Sequence, residues 1–409
     1  MKAIILTAEA GQGNLMCASL QTALQPILGK PMVQYVIESV FSAGIEDVTV
    51  VDDGDGMVQT ALENVCPGIC PKLRFAPLQN AFDTAGENND EDVLILCGNM
   101  PFISGKLIRD FMEFFWKNKK VALSIFPQFT TTNVFMFKSS LLSRLSAGLD
   151  DIDRVQNLMG VLHESCQYPC AFEPPADDMP LTGVFTQVDL AEAVRHMQTR
   201  INTKHMLNGV RMINPQSVYI DDTVEIAQGV VIYPNVILEG KCEIHADVTI
   251  GANSHLKNTV AEAGVNIRQS VIFDAVIGAG TEVGPFAYLR QDAKVGSKCR
   301  IGNFVEIKNS TLDDGVKAAH LAYIGDARLG KNVNYSCGAI TANYDGKFKH
   351  PTVIGDDAFI GSNATLIAPV TVGENALVAA GSTITDDLQG RSLGIARARQ
   401  VEKLNWVKP

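Results

Sequence analysis

The chain has 409 residues, enough for two or three domains, each with its own core. Hydrophobic residues make up 46% and charged residues 19%, the balance of a soluble globular protein. The net charge of -11 argues against a nucleic-acid partner, which would leave a basic footprint. No stretch reaches the ~18 continuous apolar residues of a membrane span, and Met1-Lys2-Ala3-Ile4-Ile5-Leu6 reads as a strand, not a leader. A cytoplasmic protein without membrane insertion is therefore expected.

In chain order, residues 1–186 alternate short β-rich runs with helical patterns. The runs are Lys2–Thr7, Val48–Val51, Val93–Cys97 and Val121–Ile125; the helices are Met32–Ala43 and Lys106–Lys117. Such alternation predicts a mostly parallel, helix-covered sheet, an α/β domain of Rossmann-like type. Residues 187–210 read as a connecting helix, and residues 389–409, rich in Arg, Gln and Lys, as a tail. The nine cysteines, an odd number, suit a reducing compartment. Cys66 with Cys70 and Cys166 with Cys170 are spaced by three residues, not the two of zinc knuckles, so loop cysteines without a ligand role are expected.

Between 211 and 388 an aliphatic residue falls at every sixth position. Ile220, Ile226, Ile232, Leu238, Ile244, Ile250 and Leu256 form one series. Val271, Ile277, Val283, Leu289, Val295, Ile301 and Ile307 form a second, and Ile354, Ile360, Leu366, Val372, Val378 and Ile384 a third. A period of six predicts a parallel β-helix whose flat faces each use one hexapeptide and point one aliphatic side chain inward. A glycine follows the aliphatic residue at 251, 278, 284, 296, 302, 355, 361 and 373. A positive φ at a sharp corner is the expected reason. The register breaks near 308–312 and at Ala342–Thr352, where Asn343-Tyr344-Asp345-Gly346-Lys347 reads as an inserted loop; insertions in solenoids favour the binding face.

Four blocks carry a resemblance: Gly284-Pro285-Phe286-Ala287-Tyr288-Leu289-Arg290, Gly302-Asn303-Phe304-Val305-Glu306-Ile307-Lys308, Lys317 to Asp326, and Ala342-Asn343-Tyr344-Asp345-Gly346. In their order and over nearly the whole chain, the sequence resembles the bacterial bifunctional UDP-N-acetylglucosamine pyrophosphorylase / glucosamine-1-phosphate N-acetyltransferase family. The resemblance implies a left-handed β-helix, an exception to the right-handed crossover rule. It further implies a homotrimer with sites between subunits, and acetyl-CoA and glucosamine 1-phosphate as the two substrates.

Acetyl transfer to a sugar amine needs a base, and His320 is the histidine of the dense polar block. Glu306 is expected to orient it. Arg290 and Lys308, in adjacent repeats, present cations to a sugar phosphate. The resemblance places Tyr323, Asn334 and Asn343 on the sugar substrate; Tyr344 resembles a sugar-contacting position and is assigned to the cofactor-binding residues. It places Cys337, where the family usually has Ala, with Ser362 and Ala380 along the pantetheine arm, and Arg397 at the nucleotide end of CoA. Direct attack of the amine on the thioester needs no covalent nucleophile.

The first domain departs from the family. Where a Leu-Ala-Ala-Gly-x-Gly-Thr-Arg-Met loop should hold triphosphate, the chain has Leu6-Thr7-Ala8-Glu9-Ala10-Gly11-Gln12-Gly13-Asn14, and Gln21-Thr22 stands at the Pro-Lys position. Each change removes attraction to phosphate or adds repulsion. Asn99 replaces the aspartate expected to hold magnesium, Phe185 the second ligand, and Ala81-Phe82-Asp83-Thr84-Ala85 the uracil-reading Gly-Thr-Gly. Leu28 to Gln34 reads as a packing element. These losses predict an acetyltransferase with a degenerate nucleotidyltransferase domain that binds no magnesium. The alternatives are an intact bifunctional enzyme and a non-catalytic scaffold subunit, against which Arg290, Lys308, His320, Tyr323 and Asn343 together speak. A zinc hydratase of this fold would need three converging histidines, and His245, His255, His320 and His350 are spaced wrongly for it.

Overall fold

A computed structural model describes residues 1–7, 22–52, 56–77, 91–125, 134–141, 171–172, 183–404 and 406–407. The chain divides into two units, Met1–Met197 and Gln198–Pro409.

In the first unit, strand β1 (Lys2–Leu6) is buried from Ala3 to Leu6, as a strand covered on both faces must be. A short hairpin, β2 (Pro26–Ile27) and β3 (Lys30–Pro31), turns at Leu28 (φ 42) and Gly29 (φ 84), two left-handed residues of the kind that match strand twist. It feeds helix α1 (Met32–Ser42), whose Tyr35 hydroxyl donates back to the Ile27 carbonyl at 2.9 Å. The expected packing role of Leu28–Gln34 is this hairpin-to-helix joint. There follow β4 (Asp47–Val51), α2 (Met57–Val65), β5 (Leu73–Ala76), β6 (Asp92–Cys97) and α3 (Gly105–Lys117). Ser104 caps α3, accepting from the Leu107 N–H at 3.1 Å. Then come β7 (Ala122–Ile125), β8 (Val134–Lys138), β9 (Ala171–Phe172) and α4 (Gln187–Leu207). The sheet runs β5-β4-β1-β6-β8-β7-β9. Its first four strands are parallel, and β8 is antiparallel to both β6 and β7. The chain order reverses at β1, the kind of switch point outside which ligands bind in open α/β sheets.

The second unit is a left-handed parallel β-helix of hexapeptide repeats. Each strand pairs in parallel register with its counterpart one coil on, from Arg211–Met212 to Leu393–Gly394. Inward columns are aliphatic: Ile277, Val295, Leu312, Leu329, Ile354 and Val372 stack in register along one face, all buried. The pairing continues to Leu393–Gly394, a few residues past the expected end at 388.

Two expectations need correction. Val271 points outward, 36% exposed, and Ile272 fills the core instead. Leu256 pairs with Ile272, so that coil is shorter by two residues than the eighteen of Leu238 to Leu256, and the count of six slips. The glycines after the aliphatic residues are not corner residues either: among them only Gly284 has a positive φ (94). Their reason is space. A Cβ on Gly278 would lie 2.5 Å from the Gly296 carbonyl carbon and 2.6 Å from the Ser297 nitrogen of the next coil. The left-handed corners fall instead to other residues, many of them Asn or Asp, such as Asn235, Asp247, Asn253, Asp274, Asp292, Asn332 and Asn363, which visit that region most easily after glycine. Gly278→Ala should therefore lower stability by about 1–3 kcal/mol through overpacking. Gly264→Ala, with φ 69 but nothing within 4 Å of its Cβ, should lose only the ~1 kcal/mol of its backbone conformation. Thermal midpoints of the two variants separate these causes; equal drops would refute the spacing argument.

Candidate active site

Equivalent residues of successive coils stand in columns about 4.8 Å apart per coil. Asn303 pairs in register with His320. The pairs Lys317↔Asn334 and Tyr323↔Ile340 bracket His320 in line with Cys337, one coil above it. Tyr335↔Ile360 and Ile340↔Thr365 put Ser362 above Cys337, and Ile360↔Val378 with Thr365↔Thr383 put Ala380 above Ser362. Four predicted residues, His320, Cys337, Ser362 and Ala380, thus form one exposed column along a corner of the solenoid.

The residue after each one turns the corner in the left-handed region, Leu321 (φ 32), Gly338 (φ 76), Asn363 (φ 56) and Gly381 (φ 70), as does Phe304 (φ 58) after Asn303. Their N–H groups bond the carbonyls one coil below, Gly338 to Leu321 at 2.6 Å, Asn363 to Cys337 at 2.8 Å and Gly381 to Ser362 at 2.8 Å. Below His320 this corner is bulky, with the Phe286 and Phe304 rings stacked 5.4 Å apart. From Gly338 upward it is small or polar, and the Arg397 side chain lies 3.8 Å from a Cβ built on Gly381. The exposed corner is therefore bulky up to His320 and small or polar above it.

The His320 ring is held from below: Nδ1 lies 2.9 Å from Asn303 Oδ1. An amide oxygen only accepts, so Nδ1 donates in this contact, and in the neutral ring the lone pair is then on Nε2. Glu306 does not orient His320 within one chain. Its Oε1 accepts from Arg290 Nε (2.9 Å) and a terminal guanidinium nitrogen (2.6 Å), because Arg290 sits one coil below it on the same face. Asn303 is a residue the sequence reading missed; the seventeen-residue coil that puts it under His320 was the available signal.

A second group gathers cations. Arg290 and Lys308 are in register, and the Arg290 guanidinium lies over the Tyr288 ring at 5.4 Å. Lys349, from the inserted loop, stands beside Lys308. Its ammonium, then desolvation and the Arg290 charge, hold the Lys308 pKa below the usual lysine value. Crowded like charges are what an anion relieves. Lys349 had no periodic signal to reveal it. Asn343, 8% exposed, directs Nδ2 to the Asp326 carboxylate and, at 3.5 Å, to the Tyr323 hydroxyl. Lys308, Asp326 and Asn343 thus meet beside Tyr323, next to a cleft of about 480 Å³ lined by Asp326, Lys349 and His350. The loop is tied by Asp345, which accepts from the Lys347 and Phe348 N–H groups and from His350, each at 2.7 Å. The Phe348 N–H above all, then His350 and Lys347, holds its carboxyl at about 2.

Not every predicted residue joins these groups in one chain. Asn334 donates to Ser336 Oγ at 3.0 Å, and the Tyr344 hydroxyl, on a side chain 62% exposed, donates to the Gly346 carbonyl at 2.7 Å.

In the first unit, Asn99 Nδ2 donates to the Val184 carbonyl at 3.1 Å, while Asn99 Oδ1 is buried without a partner. The Phe185 ring packs toward Gly183, whose Cβ would lie 2.8 Å from it. One neutral amide oxygen beside a phenyl ring does not fit a divalent magnesium ion, which takes carboxylates and phosphates. The altered phosphate loop at 8–21 and the 81–85 stretch lie outside the described residues, as do Cys166 and Cys170. Cys66 and Cys70 are buried, and desolvation pushes the Cys66 thiol up to about 11 and that of Cys70 upward as well, which favours protonated thiols over metal ligands. No helix is long and apolar enough to cross a membrane among the described residues.

Comparison with known proteins joins the two units. Residues 3–189 match the MobA-like NTP transferase domain. Residues 223–258 and 274–309 match the bacterial transferase hexapeptide (six repeats), and 351–386 the hexapeptide repeat of succinyl-transferase. The chain is 38% identical to the bifunctional protein GlmU of Geobacillus sp. (strain WCH70) over 99% of its own length and 97% of the relative's. It is 35% identical to that of Listeria monocytogenes serotype 4a (strain HCC23), over 100% and 98%, and 34% identical to that of Brevibacillus brevis, over 99% and 96%. Sharing both units with these relatives from end to end, the chain belongs to the bacterial bifunctional UDP-N-acetylglucosamine pyrophosphorylase / glucosamine-1-phosphate N-acetyltransferase family, the GlmU proteins, and is an enzyme of the acetyltransferase class.

Proposed function

We propose that this enzyme acetylates glucosamine 1-phosphate and has lost uridylyl transfer. The column from His320 to Ala380 is the observation that carries the first half: a base at the foot of a corner that is small or polar above it. Acetyl-CoA lies along Cys337, Ser362 and Ala380 with its nucleotide end toward Arg397, and Tyr344 borders the thioester. The sugar phosphate takes Arg290, Lys308 and Lys349, and Tyr323, Asn334 and Asn343 contact the sugar. The amine attacks the thioester carbonyl carbon and passes a proton to His320 Nε2, and the CoA thiolate leaves. Glu306 fixes the Arg290 guanidinium toward the phosphate.

The second half is supported by Asn99 and Phe185, which offer a magnesium ion no carboxylate at these two positions, and by the altered loop residues. The working parts are the first unit, Met1–Met197, and the second, Gln198–Pro409, whose coils run to Leu393–Gly394 and carry the acetyl-transfer site. Purified protein with acetyl-CoA and glucosamine 1-phosphate should release thiol, and with UTP and N-acetylglucosamine 1-phosphate should release no pyrophosphate. Absence of thiol release overturns the reading.

The functional assembly is a homotrimer, as the family resemblance implies. Mixing inactive His320→Ala and Arg397→Ala chains should restore part of the activity if base and CoA-binding tail meet across an interface. A fully active monomer by light scattering removes the trimer.

A further inference from the structure

The strand that carries His320 and Tyr323 is unevenly supported. Lys317–Gly325 is in register with the coil below at seven residues, from Arg300↔Lys317 to Lys308↔Gly325. With the coil above it is in register at two, Lys317↔Asn334 and Tyr323↔Ile340. The ladder thins on the side of the coil that carries Cys337. Two hydroxyls from inside the solenoid tie the strand there. Thr341 Oγ1 accepts from the Gly325 N–H at 2.8 Å and donates to the Gly325 carbonyl at 3.0 Å. Tyr335 donates its hydroxyl to the Tyr323 carbonyl at 3.3 Å.

Tyr335 is out of keeping with its column. The inward positions in register with it are Val283, Ile301, Ala318, Ile360 and Val378. Into that aliphatic stack the chain sets a tyrosine, 1% exposed, and no fully buried side chain among the described residues is larger. Ala318, one coil below, is the small residue that leaves room for the ring. Burying a hydroxyl is costly unless it is bonded, and the bond it finds is to the backbone of Tyr323. Burial also pushes the phenol pKa up, so the group remains a donor. An aliphatic residue would fill the lumen without that cost.

We propose that Tyr335 is a positioning residue for the sugar site: from the lumen it fixes the backbone of Tyr323, and through it the Tyr323 hydroxyl and Asn343 against the sugar phosphate. The inference rests on the sugar site proposed above and touches the acetyl-CoA column only indirectly. Tyr335→Phe, which keeps the ring and removes the bond, is the informative variant. The KM for glucosamine 1-phosphate should rise about 3–10-fold, the range of one lost hydrogen bond, with the KM for acetyl-CoA unchanged. Hydrogen exchange of the 317–325 segment should quicken by a similar factor, and that of the first coils should not. Unchanged exchange and unchanged KM values, or a uniform loss of stability that moves both KM values together, overturns the proposal. If the wild-type enzyme fails to turn over glucosamine 1-phosphate, the functional reading falls, and the exchange measurement still decides whether Tyr335 holds the strand.

Discussion

His320→Ala is expected to lower kcat by ~10²–10⁴-fold, the range for loss of a general base, with the KM for acetyl-CoA little changed. The expectation follows from the Asn303 contact, which holds the ring through Nδ1 and leaves Nε2 as the ring nitrogen for the substrate. Asn303→Ala should fall between the wild type and His320→Ala, because the ring survives and only its tautomer and angle are released. Thiol release in steady state reads both. A His320→Ala enzyme as fast as the wild type removes the imidazole from the mechanism and leaves the column as a binding surface only.

Uridylyl transfer should be undetectable. A triphosphate carries about four negative charges at neutral pH, and its transfer relies on cations and N–H groups gathered around the leaving phosphates. Here Gly13 stands at the arginine position, Gln21-Thr22 at the Pro-Lys position, and Glu9 in the loop. Asn99 has turned its amide to a backbone carbonyl, beside the Phe185 ring. Each lost charged hydrogen bond is worth on the order of 1.5–3 kcal/mol, and several together exceed what the remaining sheet can offset. Pyrophosphate release from UTP and N-acetylglucosamine 1-phosphate is the assay. Turnover at an ordinary enzymatic rate of ~1 s⁻¹ or faster would restore the bifunctional alternative.

The solenoid was legible because its signal is repetitive: each coil needs the same inward aliphatic residue, so an error at Val271 could not hide the period. What the period could not tell was which coils are short, and that is decided by corner residues whose left-handed backbone is invisible in a hydrophobic pattern. The glycines misled for a related reason. Absence of a side chain serves conformation and close approach equally well, and Gly278 shows the second. In the site, the resemblance supplied names without geometry. That His320, Cys337, Ser362 and Ala380 stand in one line follows from counting coils of seventeen, twenty-five and eighteen residues. Asn303 and Tyr335 could be found only once the coils were stacked, since neither residue type signals a role. In the first unit the strands Lys2–Leu6 and Asp92–Cys97 were plain from their apolar runs, whereas Val134–Lys138 was not recognised.

Helix α4 is more than a connector. The Gln198 amide donates to the Gln216 and Val218 carbonyls at 2.9 and 2.7 Å, and the Asn202 amide to Pro215 and Val218 at 2.8 and 2.9 Å. The first coil has no coil beneath it, so these carbonyls would otherwise face water as an open template for a foreign strand. The helix is a stopper. A fragment begun at residue 211, where the repeats begin, would leave that end unplugged and invite end-to-end polymerisation. The independent solenoid starts inside the helix, before Gln198.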